Sequence, residues 1–324
     1  MKIVVLDGYT TNPGDLSWDE LKQLGDVTIY DRVTSDPSET DLILRHIGDA
    51  EVVFTNKTPM TRELIEQLPN LRFISVMATG FNTVDVDAAK ERGILVSNIP
   101  IYGTAAVAQT AFALLLELCH QVGVHNEAVK AGEWTNCPDY SFWKNPLVEL
   151  DGQTLGIIGM GRIGKRSAKI GQAMGMNILA YDMYEDQSIV SDTLKYVNLD
   201  ELLENSDVIF MHCPQTAENT GMINKETIAK MKTGVFFVNN SRGGLVVEKD
   251  LSDAINSGKI AGAAVDVVSV EPIPADNYLL NTKNCIVTPH FSWAPRASRE
   301  RLLKTAVNNV RAFQNGKPEN IVNE

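Results

Sequence analysis

The sequence predicts an α/β protein made of two doubly wound parallel-sheet domains. Short apolar runs rich in valine and isoleucine alternate with longer stretches of helical periodicity, which is the pattern of buried parallel strands joined by helices. With 324 residues and 44% hydrophobic content, the chain is long enough for two domains that each bury a core. The apolar runs fall into two series separated by a long apolar helix, so we expect two sheets.

Each series of apolar runs predicts the strands of one sheet. The first series is expected at residues 3–6, 52–54, 73–76 and 94–96. The second is expected at residues 154–158, 177–181, 208–211, 235–239, 263–267 and 286–288. The helical pattern of residues 295–316 is expected to return to the first sheet. We therefore place one domain at residues 1–101 plus 294–324 and the other at residues 102–293.

Two apolar segments between the series predict contacts beyond the ordinary core. Residues 104–119 form a long apolar run. Beyond Thr104 at its start, Gln109 and Glu117 are almost its only polar side chains, which predicts a helix buried on nearly all sides. Residues 134–149 combine two tryptophans, a tyrosine and a phenylalanine with prolines, which predicts an irregular apolar loop. We interpret the helix as packing between domains or between subunits, and the loop as an oligomer contact. Together they favour a homodimer, although burial inside one chain gives a similar composition.

Charge and cysteine usage exclude several classes of protein. A formal net charge of −12 disfavours nucleic acid and anionic membrane surfaces as partners, because the long-range field repels both. The four cysteines show neither CxxC spacing nor a compact Cys/His cluster, so we predict no disulfide framework and no metal site. The first apolar run is too short for a signal peptide, and nowhere do 18 apolar residues follow one another. We expect a cytoplasmic protein.

A glycine-rich turn follows the first strand of the second series. Residues 154–158 run directly into Gly159-Met160-Gly161-Arg162-Ile163-Gly164, and residues 165–174 have a helical pattern. A dinucleotide site needs the first glycine for a tight turn, the second for close approach of a pyrophosphate, and the third for packing of helix on strand. The order of strand, turn and helix therefore predicts a Rossmann domain with these six residues at the cofactor.

An acidic residue after the next strand strengthens this motif, which alone is equally compatible with a structural turn. Asp182 lies 18 residues (182 − 164) beyond Gly164, close to the ~20 expected for the acid that accepts from the ribose hydroxyls. No lysine or arginine follows at residues 183–186 to neutralise a 2′-phosphate, so NAD is favoured over NADP. A methyltransferase using S-adenosylmethionine also fits these features, and motifs further along the chain decide against it.

Three later side chains each follow a predicted strand, where open α/β sheets bind their ligands. The planar guanidinium of Arg242, which is followed by two glycines, suits a carboxylate and a neighbouring carbonyl oxygen. His290 can donate a proton to a ketone oxygen as hydride arrives, and Glu271 can hold the ring and stabilise its protonated form. Singly, the arginine suits a surface ion pair and the histidine a structural role. In this order behind a dinucleotide motif, they predict hydride transfer.

With these motifs, the sequence resembles the D-isomer-specific 2-hydroxyacid dehydrogenase family over essentially its whole length. The resemblance implies that Arg242, Glu271 and His290 form a catalytic triad, with His290 as the acid/base, and that Asp182 and the glycine turn bind NAD. It also implies a flavodoxin-like substrate domain. There, the substrate-binding residues are Met77, Ala78, Thr79 and Gly80, a loop whose backbone N–H groups, together with Arg242, hold a carboxylate.

The same resemblance implies further residues along the cofactor. Asp266 is expected near the nicotinamide amide. The other members of this set, besides the glycine turn and Asp182, are Thr104, Cys213, Pro214, Thr220, Asn240, Ser241, His290 and Ser292.

Within the family, the closer likeness is to glycerate dehydrogenase, also called hydroxypyruvate reductase. Residues 55–57, 77–80, 140–143 and 290–296 carry that likeness. Asn56, after a strand of the first domain, is expected to bind substrate. The implied reaction is NAD-dependent interconversion of a small 2-keto acid and a D-2-hydroxy acid, with hydroxypyruvate and D-glycerate as the first choice. Phe291-Ser292 and Phe81 depart from the usual pattern, and these departures bear on pocket size.

Two other functions remain open on the sequence. One is a different specificity for glyoxylate, pyruvate or a branched 2-keto acid. 3-Phosphoglycerate is expected least, because the chain ends at Glu324 without an appended regulatory domain. The other is an NAD-sensing scaffold similar to the C-terminal-binding-protein corepressors, although the long disordered extensions usual in such proteins are not expected here. Turnover of NADH separates an enzyme from a scaffold.

Overall fold

A computed structural model describes residues 1–324 and divides the chain into two compact units. The first unit comprises Met1–Gly103 and Ala294–Glu324, and the second comprises Thr104–Trp293. Each unit contains its own parallel sheet with helices on its faces. The structural division after Gly103 lies two residues beyond the position expected from the sequence, and the division before Ala294 coincides with it.

The first unit has a five-stranded parallel sheet of flavodoxin-like order. Its strands, arranged β2-β1-β3-β4-β5, are β1 (Lys2–Val5), β2 (Asp26–Ile29), β3 (Val52–Thr55), β4 (Phe73–Val76) and β5 (Leu95–Ser97). This order is the 2-1-3-4-5 pattern of flavodoxin-like doubly wound folds, the type that the family resemblance implied. The sequence analysis missed β2, an edge strand whose side chains are exposed or only partly buried and whose apolar run is therefore short.

Helices cover both faces of this sheet and complete its core. They are α1 (Gly8–Thr11), α2 (Asp19–Lys22), α3 (Thr40–Ile47), α4 (Arg62–Glu66), α5 (Val86–Glu91) and α12 (Arg296–Gln314). The last helix contacts β4, where the rings of Phe313 and Phe73 stack at 4.7 Å between centroids. The predicted return of the C-terminal helix to the first sheet is therefore confirmed.

The second unit has a seven-stranded parallel sheet of Rossmann order. Its strands, arranged β12-β11-β10-β9-β6-β7-β8, are β6 (Thr154–Ile158), β7 (Asn177–Tyr181), β8 (Leu194–Tyr196), β9 (Val208–Met211), β10 (Val235–Asn239), β11 (Ile260–Val265) and β12 (Cys285–Val287). Counted from β6, six of these strands follow the 3-2-1-4-5-6 order of dinucleotide-binding sheets. The short edge strand β8 was not predicted.

Six helices flank the second sheet. They are α6 (Thr104–His120), α7 (Val122–Lys130), α8 (Arg162–Ala173), α9 (Leu199–Asn205), α10 (Lys225–Lys230) and α11 (Glu248–Asn256). Helix α6 contacts α8, β10 and β11 through a buried face that includes Phe112 and Leu115. By length and apolar content, no single helix qualifies as a membrane span. Together α6 and α7 pass that test, but the pair is bent by 54°.

Candidate active site

The glycine turn lies at the carboxyl edge of the second sheet, between β6 and α8. Gly159 has φ +100°, and a Cβ atom there would lie 2.4 Å from the backbone N of Cys213. A Cβ on Gly164 would lie 2.1 Å from the carbonyl oxygen of Gly159, so this helix packs directly on the turn. A Cβ on Gly161 would meet no atom within 4 Å.

This geometry fits a bound pyrophosphate. Gly161 is the residue that caps α8, and because it has no side chain the first N–H groups of the helix lack a capping acceptor. Such N–H groups, at the positive end of the helix dipole, are suited to a phosphate anion. The open space beside Gly161 lets that anion approach the backbone.

Asp182 follows β7 beside the same turn. Its Oδ2 accepts from the backbone N–H of Met160 at 2.6 Å, and its Oδ1 accepts from Tyr184 at 3.0 Å. Lys165, one turn into α8, reaches this region and pairs with Asp186. Hydrogen bonds from Lys165 and Ser188 lower the pKa of Asp186 to about 2. A lysine does therefore lie near the predicted ribose site, but its charge is already paired with the carboxylate of Asp186.

Arg242 lies just beyond β10 in a tightly held loop. Asn239 donates to the Arg242 carbonyl at 2.9 Å, and the Arg242 guanidinium donates to the carbonyl of Ser241 at 2.7 Å. The exposed guanidinium forms no salt bridge. A Cβ on Gly243 would lie 1.9 Å from the carbonyl carbon of Val268, so this loop packs against the segment that leads to Glu271.

His290 and Glu271 form a hydrogen-bonded pair at the same edge. Nδ1 of His290 lies 2.7 Å from Oε2 of Glu271, and the two side chains are 32% and 29% exposed. Oε1 of Glu271 accepts from the backbone N–H of Val268 at 3.3 Å. A carboxylate at Nδ1 places the acidic proton on Nε2, which has no hydrogen-bond partner within the chain. The pair therefore leaves one ring nitrogen available to a ligand.

Asp266 holds the segment that carries His290. This buried carboxylate accepts from the Thr288 hydroxyl at 2.7 Å and from the backbone N–H groups of Phe291 and Ser292 at 3.0 and 2.8 Å. His290 lies between these anchors with φ +52°, in the left-handed region that non-glycine residues seldom adopt. The bonds on both sides of the histidine offset that strain and orient its ring.

The other residues predicted along the cofactor lie at or near this edge and differ in their packing. Ser241 donates to the carbonyl of Cys213, and Asn240 donates to the carbonyl of Val107 in α6 at 2.8 Å and to Ser292 at 3.4 Å. Burial raises the pKa of the Cys213 thiol to about 11, so it stays protonated. Thr104 begins α6, whereas Pro214 and Thr220 are exposed, and Thr220 donates to the carbonyl of Thr216.

In the first unit, the predicted substrate loop follows β4 at the carboxyl edge of its sheet. The carbonyl oxygens of Met77, Ala78 and Thr79 each accept one hydrogen bond, at 2.7, 2.9 and 2.7 Å. The N–H groups of Ala78, Thr79 and Gly80 donate to no acceptor in the chain. Three successive free N–H groups are a backbone arrangement suited to an anion.

The match to a protein family accounts for this architecture. Residues 112–292 match the family model described as D-isomer specific 2-hydroxyacid dehydrogenase, NAD binding domain. The chain belongs to this family. It is an oxidoreductase acting on CH–OH donors, and the cofactor of its Rossmann unit is NAD.

Relatives of this dehydrogenase match along most or all of its length. It is 58% identical to a hydroxypyruvate reductase of Blautia hydrogenotrophica over 100% of both chains. It is 38% identical to a glycerate dehydrogenase of Methylorubrum extorquens, covering 86% of this chain and 88% of the other. The solved D-lactate dehydrogenase of Aquifex aeolicus, complexed with NAD and lactic acid, is 32% identical. It superposes with a TM-score of 0.83 over 100% and 99% of the two chains.

Sequence reasoning missed two polar residues that support the loop of this dehydrogenase. Asp7, at the end of β1, accepts three backbone N–H groups from residues 56–58. Asn98, just after β5, donates to the carbonyl of Thr79. Both follow predicted strands at the carboxyl edge, and that position was the one available signal. Glu248 was also missed: it accepts from the N–H of Ser269 at 2.6 Å in the segment that leads to Glu271.

Proposed function

We propose that this dehydrogenase interconverts hydroxypyruvate and D-glycerate, with His290 as the acid/base. The observation that carries the proposal is the His290–Glu271 pair at the carboxyl edge of the Rossmann sheet, with Nε2 of the histidine left without a partner. The 58% identity to a hydroxypyruvate reductase over the whole chain favours this substrate within the family.

In this mechanism His290 moves the proton. Bound NADH supplies the hydride for the carbonyl carbon of the substrate. As negative charge grows on the keto oxygen, protonated Nε2 of His290 donates its proton there, and the reverse transfer accompanies oxidation of the alcohol. Glu271 accepts from Nδ1–H throughout, which fixes the ring orientation and keeps Nε2 as the nitrogen that exchanges the proton.

Positive and N–H donors bind the substrate anion in this proposal. Arg242, unpaired with any carboxylate, offers a planar fork of donors to the carboxylate or the keto oxygen. The free N–H groups of residues 78–80 offer neutral donors to the carboxylate. Local donors of this kind are needed because the chain as a whole carries a net charge of −12, which repels an anionic substrate at long range.

The experiment that tests this proposal follows NADH absorbance with a panel of keto acids. Purified protein is assayed with hydroxypyruvate, glyoxylate, pyruvate, 2-ketoisocaproate and 3-phosphohydroxypyruvate, and the best substrate is repeated with NADPH. We expect the highest kcat/KM with hydroxypyruvate and NADH. A higher value with another acid would overturn the substrate assignment, and tight NADH binding without turnover of any acid would overturn the enzymatic one.

We further propose that the protein is a homodimer that works in the cytoplasm. Several aromatic and aliphatic side chains of α7 and residues 131–149 are exposed, among them Tyr140 at 95%, Trp143 at 65% and Val122 at 63%. Exposed apolar residues concentrated in this way favour contact with another protein surface. All four cysteines are free, which is the usual state of thiols in a reducing cytoplasm.

A further inference from the structure

Residues 77–80 are joined by three peptide units, and in each unit the carbonyl oxygen accepts a hydrogen bond that holds the unit in place. A peptide plane carries a C=O and the next residue's N–H in opposite directions, so a bond that fixes the carbonyl also fixes that N–H. The Met77 carbonyl shares its plane with the Ala78 N–H, the Ala78 carbonyl with the Thr79 N–H, and the Thr79 carbonyl with the Gly80 N–H. We call residues 77–80, which carry these three N–H groups, the donor loop.

Two of the three carbonyl bonds come from buried side-chain amides. Nδ2 of Asn56 donates to Met77 O at 2.7 Å, and Nδ2 of Asn98 donates to Thr79 O at 2.7 Å. The exposed fractions of these residues are 8% and 9%. The middle carbonyl accepts from the backbone N–H of Ile99 at 2.9 Å, directly after Asn98.

Asn98 is itself anchored from two sides. Its backbone N–H donates to the carbonyl of Asn320 at 3.1 Å, and its own carbonyl accepts from Nδ2 of Asn309 in α12 at 3.0 Å. The amide that reaches Thr79 therefore starts from a backbone position that the helix and the C-terminal segment fix. Its donor direction is set before any ligand arrives.

Asn56 is anchored by a buried carboxylate. Oδ2 of Asp7 accepts from the backbone N–H groups of Asn56, Lys57 and Thr58 at 2.7, 2.9 and 3.0 Å. Oδ1 of Asp7 accepts from the Thr58 hydroxyl at 2.7 Å. Asp7 is 7% exposed and forms no salt bridge, so its charge is compensated by these donors. This arrangement fixes the backbone from which the Asn56 amide reaches the loop.

We propose that Asn98, and Asp7 acting through Asn56, are positioning residues that orient the donor loop toward the substrate carboxylate. The proposal rests on the proposed function, which assigns the carboxylate to this loop. It makes a kinetic distinction, because the carboxylate is bound in the ground state and the transition state alike. Misorienting its donors raises KM with little change in kcat, whereas partial unfolding lowers the active fraction and leaves KM unchanged.

The test is a steady-state comparison of Asn98→Ala, Asp7→Asn and a matched control. We expect Asn98→Ala to raise KM for hydroxypyruvate about tenfold, as loss of one ordered hydrogen bond predicts. Asp7→Asn keeps one acceptor oxygen for the three N–H groups but removes the charge, so we expect a rise of roughly threefold to tenfold. In both variants kcat and the Kd of NADH should stay within about twofold of the wild-type values.

Asn323→Ala is the matched control, because Asn323 is also a buried amide of the same unit. Its Nδ2 donates to Ile94 O at 2.8 Å and its Oδ1 accepts from Val96 N at 2.9 Å, and it forms no hydrogen bond with Asn98 or with the donor loop. We expect this variant to lose thermal stability comparable to Asn98→Ala while its KM stays at the wild-type value. A KM rise of the same size in the control, or unchanged KM in both positioning variants, would overturn the proposal.

Binding of oxamate, a non-reacting analogue of a keto acid, separates this proposal from the proposed function. Calorimetry of the NADH-saturated protein measures oxamate affinity without turnover. Weaker oxamate binding in Asn98→Ala and Asp7→Asn, with wild-type affinity in Asn323→Ala, supports the positioning role even if hydroxypyruvate proves to be a poor substrate. Equal oxamate affinity in all four proteins, or no oxamate binding by the wild type, overturns it.

Discussion

Two histidines of this dehydrogenase lie at strand ends and have opposite environments. His290 is partly exposed, pairs with Glu271 through Nδ1 and leaves Nε2 without a partner. His212, after β9, shares a hydrogen bond with the Ser167 hydroxyl through Nε2, and its Nδ1 is buried without a partner. Burial lowers the pKa of His212 to about 4. Of the two, only His290 therefore combines a carboxylate partner with an accessible ring nitrogen, as the proposed proton transfer requires.

Replacing His290 with glutamine should remove the proton donor and keep the cofactor site. We expect kcat for keto-acid reduction to fall about 10²-fold to 10⁴-fold, the usual contribution of a general acid. The Kd of NADH, measured by fluorescence titration, should change by less than about twofold, because the glycine turn and Asp182 are untouched. His120→Gln, at the exposed end of α6, is the control. Equal losses of turnover and NADH affinity would refute the role.

The desolvated imidazole of His212 should make folding stability depend on pH. Its pKa is about 4 in the folded protein against an ordinary value of 6.5, so between these values the unfolded chain binds a proton that the folded chain does not. Stability is therefore lost as pH falls from about 6.5 to 4, by about 3 kcal/mol in total. Urea unfolding of the wild type and His212→Gln across this range isolates the effect, because all other groups are shared. Parallel pH profiles for the two proteins would contradict it.

At the scale of elements, the β6–turn–α8 unit divides its glycines between folding and binding. A Cβ atom on Gly159 or Gly164 would lie only 2.4 or 2.1 Å from the nearest backbone atom, so both positions require glycine. A Cβ atom on Gly161 would meet no atom within 4 Å. Gly159 and Gly164 therefore serve the turn and the packing of helix on strand. Gly161 keeps space clear at the helix N-terminus, where the pyrophosphate of NAD is expected.

This division predicts different effects for two alanine substitutions. Gly164→Ala should destabilise the protein by more than about 1 kcal/mol and weaken NADH binding, because its methyl group overlaps the Gly159 carbonyl. Gly161→Ala should leave the Tm within about 2 °C of the wild type and still weaken NADH binding, since the methyl enters the space of the pyrophosphate. Thermal unfolding and NADH titration measure both effects. Loss of stability in Gly161→Ala, or normal stability in Gly164→Ala, would contradict this account.

At the scale of the whole molecule, exposed apolar side chains concentrate on one segment. Residues 134–149 form no helix or strand, as predicted, and Trp134, Tyr140, Trp143 and Leu147 are all more than half exposed. Outside α7, the other exposed apolar residues occur singly or in pairs, such as Met183 with Tyr184 and Tyr278 with Leu280. This concentration predicts where a partner subunit binds.

Substituting aspartate into this segment should therefore dissociate the proposed homodimer. We expect light scattering coupled to gel filtration to give twice the 35.6 kDa chain mass for the wild type. The double variant Tyr140→Asp, Trp143→Asp should approach the single-chain mass, because charges cannot be buried in an apolar interface without partners. Tyr278→Asp, at a 55% exposed aromatic elsewhere in the same unit, is the matched control. A monomeric wild type, or a dimer unaffected by the double variant, would refute the assignment.

The sequence by itself determined the features that are encoded over a few neighbouring residues. Valine-rich runs predicted ten of the twelve strands, and the missing β2 and β8 are short edge strands whose partial exposure weakens the apolar signal. The glycine turn, Asp182 and the ordered Arg242, Glu271 and His290 were visible because each motif is local and follows a strand. Parallel strands then bring their carboxyl ends to one edge, so strand order places such residues together.

Only the tertiary structure decided which distant polar groups pair with each other at the site. Lys165 pairs with Asp186 across 21 positions of the chain, Asn98 reaches the carbonyl of Thr79 across 19, and Asp7 holds the N–H of Asn56 across 49. Such hydrogen bonds depend on strand register and loop direction, which no local pattern contains. The sequence therefore determined the kind of chemistry this enzyme performs. The packing of the sheets decided which N–H groups are left free. Buried carbonyl oxygens require hydrogen-bond donors, and the positions of those donors orient the peptide units.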